Sequence, residues 1–359
     1  MAVGAPSRSR VRYPTQVKKR RDHQPAISVL LPVRDAEATL EAALRSLARQ
    51  SFADFQAVCV NDGSVDSSGE ILDRWAATDP RFEVVHIARC GLVPTLNAGL
   101  ALCRGPMVAR MDGDDVCHPR RFELQHELFD DQPDLGVVSC LVRHFPQRGV
   151  GEGNRLYEEW LNGLVDHSQI LRERFVEAPV AHPSAMVRRE ILETAGGYRD
   201  RGWPEDYDLW LRLLHAGVRF AKVRRHLLFW REHERRLTRV QRCYSKDAFL
   251  RCKAHHLLRG PLAKGTPAVL WGAGPTGRRL SGYLLEGGAA IEAVVDIDPA
   301  KVGDTMRGLP IIAPETLSAH LTPETVVLTA VAARGGRALV RARLESMGLE
   351  EGARFFCVA

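Results

Sequence analysis

No apolar run in this chain approaches the ~20 residues that cross a bilayer, which excludes a spanning helix. No C-x-x-C pair occurs; the eight cysteines (59, 90, 103, 117, 140, 243, 252 and 357) are scattered, mostly among apolar neighbours. Such spacing argues against a disulfide framework or a zinc site, and for reduced thiols in a cytoplasmic setting. The N-terminus is basic and polar with no apolar stretch behind it, so it does not read as a secretory signal. No DNA- or RNA-binding motif accompanies the basic residues, and nucleic acid is therefore not an expected partner. The chain has 359 residues, 45% hydrophobic and 26% charged, with net charge +6. That length suits two domains.

The positive charge is concentrated. Arg8, Arg10, Arg12, Lys18, Lys19, Arg20 and Arg21 stand together without an acid inside a basic tail over residues 1–25, read as disordered. A second cluster runs from Lys222 to Arg242, interleaved with Leu227, Leu228, Phe229 and Trp230. Each is either a solvated segment or a peripheral contact with an anionic membrane surface.

From Ile27 onward, apolar runs alternate with helix-period segments. Ile27–Val33 reads as a strand, and residues 36–50 as a helix carrying Leu40, Ala43, Leu44 and Leu47, with Asp35 as its N-cap. Phe55–Val60, Phe82–Ile87 and Met107–Met111 are further strands, with helices after Asp66 or Ser67 and over roughly 92–103. The alternation predicts βαβ units and a mostly parallel sheet, whose ligands bind beyond the carboxyl ends of the strands. Pro32-Val33, Asn61-Asp62 and Asp112-Gly113-Asp114 all fall at such ends. The pattern loosens between 140 and 200, with a helix expected over about 155–175. A helix then starts at Pro204-Glu205-Asp206 and stops at Gly217, helical character returns over 244–259, and Gly260-Pro261 with Gly265-Thr266-Pro267 marks a linker.

The run MVARMDGDD at 107–115 concentrates the chemistry. Asp112, Asp114 and Asp115 repel one another unless a cation sits among them, and Gly113 is read as the residue that lets the backbone turn tightly. Mg²⁺ suits such a turn, because it takes one or two carboxylates and completes its shell with substrate phosphates. A solvated acidic turn or a helix N-cap is the plain alternative.

Six segments in order, ISVLLPVRDAEATLEAALRSLARQSF, VNDGSVDSSGEIL, GLVPTLNAGLALCRG, ARMDGDDVCHPRRFELQ, HPSAMVRREI and PEDYDLWLRLLHAG, resemble the family 2 glycosyltransferases of GT-A fold over about residues 26–240. The segment FWREHERRLTR is similar to that family's Arg-x-His region, but looser. The resemblance implies a metal-dependent, inverting transfer of a sugar from a nucleotide-diphospho-sugar to a hydroxyl on a glycan, a lipid-linked or another acceptor. It implies Asp114 and Asp112 as holders of Mg²⁺ or Mn²⁺, with Asp112 also near the donor ribose. Asp115 is either a supporting acid or a cap for the helix around Arg120–Phe129. Pro32, Arg34 and Asp62 correspond to residues around the nucleobase, and Asn97 to a donor contact or a packing residue. Asp206 corresponds to the general base, ionised with help from the helix N-terminus. Glu205, His182, Arg231 and His233 support the site, His233 and Arg231 facing the diphosphate or simply lying at the surface.

The Gln-x-x-Arg-Trp signature of processive synthases is absent, which points to transfer of a single residue, in surface polysaccharide or glycoconjugate synthesis. An inactive nucleotide-sugar-binding or scaffold protein is the alternative, and intact Asp112, Asp114 and Asp206 argue against it. The transferase domain is expected over 26–262.

A second α/β unit occupies 266–359. AVLWGAGPTGRRL reads as a strand, then Gly272-x-Gly274-x-x-Gly277, then a helix; Asp296 ends the next strand. This is the Rossmann-like dinucleotide arrangement, with glycines for phosphate approach and the acid for a ribose hydroxyl. Pro275 fits the first turn of the helix. The unit is too small for a catalytic domain of its own, and the chain lacks a Tyr-x-x-x-Lys pair for reductase chemistry. It either binds an NAD-like nucleotide or nucleotide-sugar, or is structural.

Overall fold

The computed structural model describes residues 23–234 and 236–359. The basic cluster at 8–21 lies outside the described residues. The first lobe begins β1 (Ile27–Val33), α1 (Glu37–Ala48), β2 (Phe55–Asp62), α2 (Ser68–Thr78), β3 (Phe82–Ile87), α3 (Leu92–Leu100), β4 (Met107–Arg110) and β5 (Val116–Cys117). It continues α4 (Arg121–Asp131), β6 (Leu135–Phe145), α5 (Glu152–Gly163), α6 (His167–Glu173), β7 (Met186–Arg188), α7 (Arg189–Thr194), α8 (Glu205–His215), β8 (Arg219–Arg231), α9 (Leu237–Val240) and α10 (Lys246–Leu257). The second lobe comprises β9 (Ala268–Trp271), α11 (Pro275–Glu286), β10 (Ile291–Val295), β11 (Thr305–Met306), β12 (Leu309–Ile312), β13 (Val326–Thr329), α12 (Gly336–Ser346) and β14 (Phe355–Cys357).

The larger sheet has strand order β3-β2-β1-β4-β7-β6-β8-β5, and its β3-β2-β1-β4 half is parallel throughout. Every residue of β1 and β2 is buried, the signature of strands covered by helices on both faces. Pro32 is tolerated because β4 pairs with β1 only as far as Leu30, leaving Pro32 with a single neighbour strand. The smaller sheet has order β11-β12-β10-β9-β13-β14, parallel except for β11. The expected α/β architecture, a mostly parallel sheet followed by a small Rossmann-like unit, is observed.

Several local expectations are corrected. Asp35 does not cap α1: it sits at φ +46° and its carboxylate accepts from the Val65 amide at 2.9 Å. The first amides of α1 are met instead from the turn after β2 and the start of α2, Ala36 by the Ser68 hydroxyl and Glu37 by Asp66. The helix expected over 155–175 is two, because Asp166 forms a capping box with Gln169 and opens α6 afresh. The basic-apolar cluster from Lys222 is mostly strand β8: Leu227, Leu228 and Lys222 are buried, and the Lys222 ammonium donates to the Leu161 carbonyl at 2.7 Å. Those residues face the core rather than a membrane. Among the described residues, no helix is long and apolar enough to cross a bilayer.

The lobes share one apolar core. Phe175, Tyr207 and Leu211 from the first lobe pack in a cluster with Leu250 and Leu257 of α10 and with Leu270, Leu284, Val294 and Phe356 of the second. Lys253, buried on α10, donates to the carbonyls of Val176 and Val358 and so ties the lobes.

Candidate active site

The acid turn follows β4 directly. Carboxylate oxygens of Asp112, Asp114 and Asp115 lie within 4.8 Å of one another. Gly113 does not need glycine's freedom here: its φ is not positive, and a Cβ would meet Ala36 and Leu40 at an ordinary 3.6 Å. The turn is held by its neighbours. Arg110, buried at the end of β4, reaches Asp112 at 2.6 Å. The Arg231 amide donates to Asp115 at 2.8 Å, and its guanidinium to the Asp114 carbonyl at 2.6 Å. His233 Nε2 meets Asp114 Oδ2 at 2.8 Å. Asp115 therefore anchors the strand end of β8 and does not cap α4, whose N-cap is Arg120 without a side-chain bond.

Electrostatically the turn is only partly compensated, by Arg110 on Asp112 and His233 on Asp114. Burial raises the carboxyls of Asp114 and Asp115, and their acidic neighbours raise them further, Asp115 well above the usual range. The buried Asp115 Oδ2 has no hydrogen-bond partner among the described residues. Closely spaced hard oxygens, mutually repelling and with one orphaned, fit a divalent cation.

A second set of acids opens α8. The helix begins after Pro204, carries Glu205, Asp206 and Asp208 in its first turn, and ends with Arg212 and His215, complementing its dipole at both ends. Its C-terminus closes with the Gly217 and Val218 amides on the Leu214 and Leu213 carbonyls, Gly217 at φ +78°. Glu205 is buried between His182 Nδ1 at 3.5 Å and the Tyr244 hydroxyl at 2.7 Å. Burial alone would raise its carboxyl, but those two bonds outweigh it and hold Glu205 ionised. Half-buried Asp206 is pushed the other way, well upward, by burial and by ionised Glu205. The helix dipole thus does not dominate at Asp206, contrary to expectation. Two adjacent carboxyls driven apart in acidity are a mark of acid–base sites. Arg110 joins both groups, bonding Asp112 while its charge also bears on Glu205 and Asp206.

Comparisons with known proteins bear on the family and the fold. A family model described as Glycosyl transferase family 2 matches residues 28–196. The amylovoran biosynthesis glycosyltransferase AmsE of Erwinia amylovora is 33% identical over 199 residues, covering 55% of this chain and 72% of that protein. The chain belongs to glycosyltransferase family 2. The O-antigen biosynthesis glycosyltransferase WbnJ of Escherichia coli is 27% identical over 214 residues, 58% of this transferase and 80% of that protein. A crystal structure of S. aureus TarS residues 1–349 with UDP-GlcNAc shares the fold, with TM-score 0.53 and 17% identity, covering 72% of this chain and 71% of that one. A second model, described as CoA binding domain, matches residues 263–344.

The remaining expected residues of the transferase divide. Pro32, Arg34 and Asp62 lie at the carboxyl ends of β1 and β2, on the same sheet edge as the acid turn. Asp62 is buried, and its two oxygens accept from the Cys90 and Gly91 amides at 2.6 and 3.0 Å, which fixes the loop after β3. Asn97 is occupied elsewhere: its carboxamide pairs with the Tyr198 backbone at 2.9 and 3.0 Å. Tyr198 in turn donates from or accepts at its hydroxyl toward His182 Nε2 at 3.1 Å, so Asn97 supports the Glu205 side rather than touching the acid turn. Reasoning from sequence missed Arg110, Tyr198, Tyr244 and Glu232. Arg110 carried a signal, a charge closing an otherwise apolar strand. Glu232 gathers Asn154 and Arg236 at 2.8 and 3.0 Å and had none.

In the second lobe Gly272, Gly274 and Gly277 form the turn from β9 into α11, with Pro275 at the first helical position. Gly277 must lack a side chain, since a Cβ would lie 1.9 Å from the Gly272 carbonyl oxygen. Asp296 does come to this turn, but its oxygens accept from the Ala273 and Asp298 amides at 2.8 and 3.0 Å, with Lys301 at 3.4 Å. The acid expected to take a ribose hydroxyl closes the loop itself.

Proposed function

We propose that this glycosyltransferase moves a sugar from a nucleotide-diphospho-sugar to an acceptor hydroxyl with inversion at the anomeric carbon, using Mg²⁺ or Mn²⁺. The observation that carries the reading is the pair of acidic sets bridged by Arg110: the partly compensated turn at 112–115 with its orphaned oxygen, and Glu205–Asp206 with their acidities driven apart. Asp112 and Asp114, with His233 beside Asp114, would hold the cation. When bound, it acts as a Lewis acid that neutralises charge on the departing diphosphate. Asp206 takes the proton of the acceptor hydroxyl as its oxygen bonds to the anomeric carbon, and the bond from that carbon to the diphosphate breaks with its electron pair. Its raised pKa makes Asp206 a stronger base than an exposed carboxylate. Glu205, held ionised by His182 and Tyr244, keeps Asp206 in that condition. Pro32, Arg34 and Asp62 border the place for the nucleobase. The names of AmsE and WbnJ support an acceptor in surface polysaccharide or glycoconjugate synthesis.

The test is a thermal-shift screen of nucleotide sugars with Mn²⁺, followed by proton NMR of the product from the best donor. An α-linked donor is expected to give a β-linked product, and the shift to disappear with chelator. Retention of configuration would overturn the single displacement. Binding without release of nucleoside diphosphate to any acceptor would favour a scaffold.

A further inference from the structure

A cavity of about 360 Å³ opens at the seam between the lobes, away from the acids. Its wall includes Arg174, Phe175, His215, His256, Pro261 and Phe356. Arg174 follows α6 and is largely buried. Among the described residues it has no carboxylate partner: its guanidinium donates to the Leu171 carbonyl and lies 4.9 and 5.1 Å from the ring centres of Phe175 and Phe356. A charged group taken out of water without a counter-charge is costly, and burial lowers Arg174 to about 10. His215, from the last turn of α8, and His256, on α10, stand on the same wall, so every titratable group lining the cavity is basic.

We infer that this seam binds a small phosphate-bearing molecule, with its phosphate on Arg174 and His215 and its organic part against Phe356 and Pro261. The guanidinium fork matches a phosphate in geometry as well as charge. The volume lies within the range of small-molecule sites and exceeds what a bare phosphate fills. The site is spatially separate from the transferase acids. His215 ends the 11-residue α8 that Glu205 begins, roughly 15 Å along the axis. It is nonetheless coupled to them mechanically. Leu211 and Leu214 of α8 line the cavity, and His256 bonds Asp208 at 3.1 Å, two residues from Asp206. A ligand here braces the helix that carries the proposed base.

The test is titration calorimetry on the full chain in chelator, with glucose 1-phosphate and with inorganic phosphate as probes. Glucose 1-phosphate is expected to bind one to one, Arg174→Gln to weaken it by about tenfold or more, and Asp114→Ala to leave it unchanged. Tighter binding of glucose 1-phosphate than of phosphate assigns the site to a phosphomonoester; equal affinities assign it to free phosphate. No binding at millimolar concentration, an affinity untouched by Arg174→Gln, or one lost in Asp114→Ala would overturn the inference. Should Arg174→Gln fail to fold, His215→Gln carries the same comparison.

Discussion

The acids that follow β4 in the first lobe and β10 in the second are finished in opposite ways. After β10, Asp296 spends both oxygens on main-chain amides and has Lys301 nearby, so its charge is balanced within the lobe. After β4, Asp115 uses one oxygen and leaves the other orphaned, while Asp112 and Asp114 crowd against it. The same contrast recurs within α8. Asp208 accepts from Arg212, His256 and Trp203 and is held well below the usual carboxylate range, these bonds outweighing its burial. Asp206, two residues earlier, is driven up. Engagement by amides does not by itself exclude a ligand, since Asp62 also spends both oxygens that way; what sets the turn at 112–115 apart is its crowding and its orphaned oxygen. In the second lobe the acid beside the glycine motif is already engaged by the chain's own amides, whereas the turn of the first lobe keeps an orphaned oxygen, the feature on which the proposed cation site rests.

The largest effect should come from removing charge the fold leaves unbalanced. Asp206→Asn should lower kcat by about 10²–10⁴-fold, while donor affinity and melting temperature stay near wild type, since Asn keeps the bond to the Tyr207 amide. Full activity in that variant would remove Asp206 as base. Altering the balanced lobe should instead affect stability. Gly277→Ala should cost about 3 kcal/mol in denaturant unfolding, because the Gly272 carbonyl is backbone and must move. Asp296→Asn should cost only about 1–2 kcal/mol, the worth of weakened amide bonds, with transfer intact; a large loss of transfer would contradict its architectural role.

The subtlest difference is in pH. Asp115 holds its proton to higher pH in the folded chain than in the unfolded one, so its contribution favours folding at low pH. That contribution is lost as pH rises from the ordinary carboxylate value near 4 through the raised one. Asp208 has the opposite sign: its contribution is present above about 4 and disappears as pH falls. In chelator, Asp115→Asn should therefore gain on wild type as pH rises toward neutrality, and Asp208→Asn should lose. Parallel melting curves for all three proteins would show that the two acids are not distinguished by their surroundings.

The β3-β2-β1-β4 half was legible because each of its strands is a local apolar run and each helix keeps its own period. Asp112, Asp114, Glu205 and Asp206 were legible as clusters in sequence. What escaped was set over long separations. Asp35 looks like a cap for the helix beside it, yet bonds an amide 30 residues away. Lys222 looks solvated, yet is buried where β8 lies along β6. The glycine turn of the second lobe was legible as a strand–turn–helix, but only the fold could reveal that Asp296 was already engaged.

Calorimetric titration of Mn²⁺ into the full chain, in the presence of UDP or GDP, tests the ligand-site reading most directly. About one equivalent is expected to bind with one of the nucleotides, and Asp114→Ala to abolish it while Asp296→Asn leaves it unchanged. Absence of Mn²⁺ binding with both nucleotides, or binding that survives Asp114→Ala, would contradict the claim that the acid turn is left unbalanced for a cation.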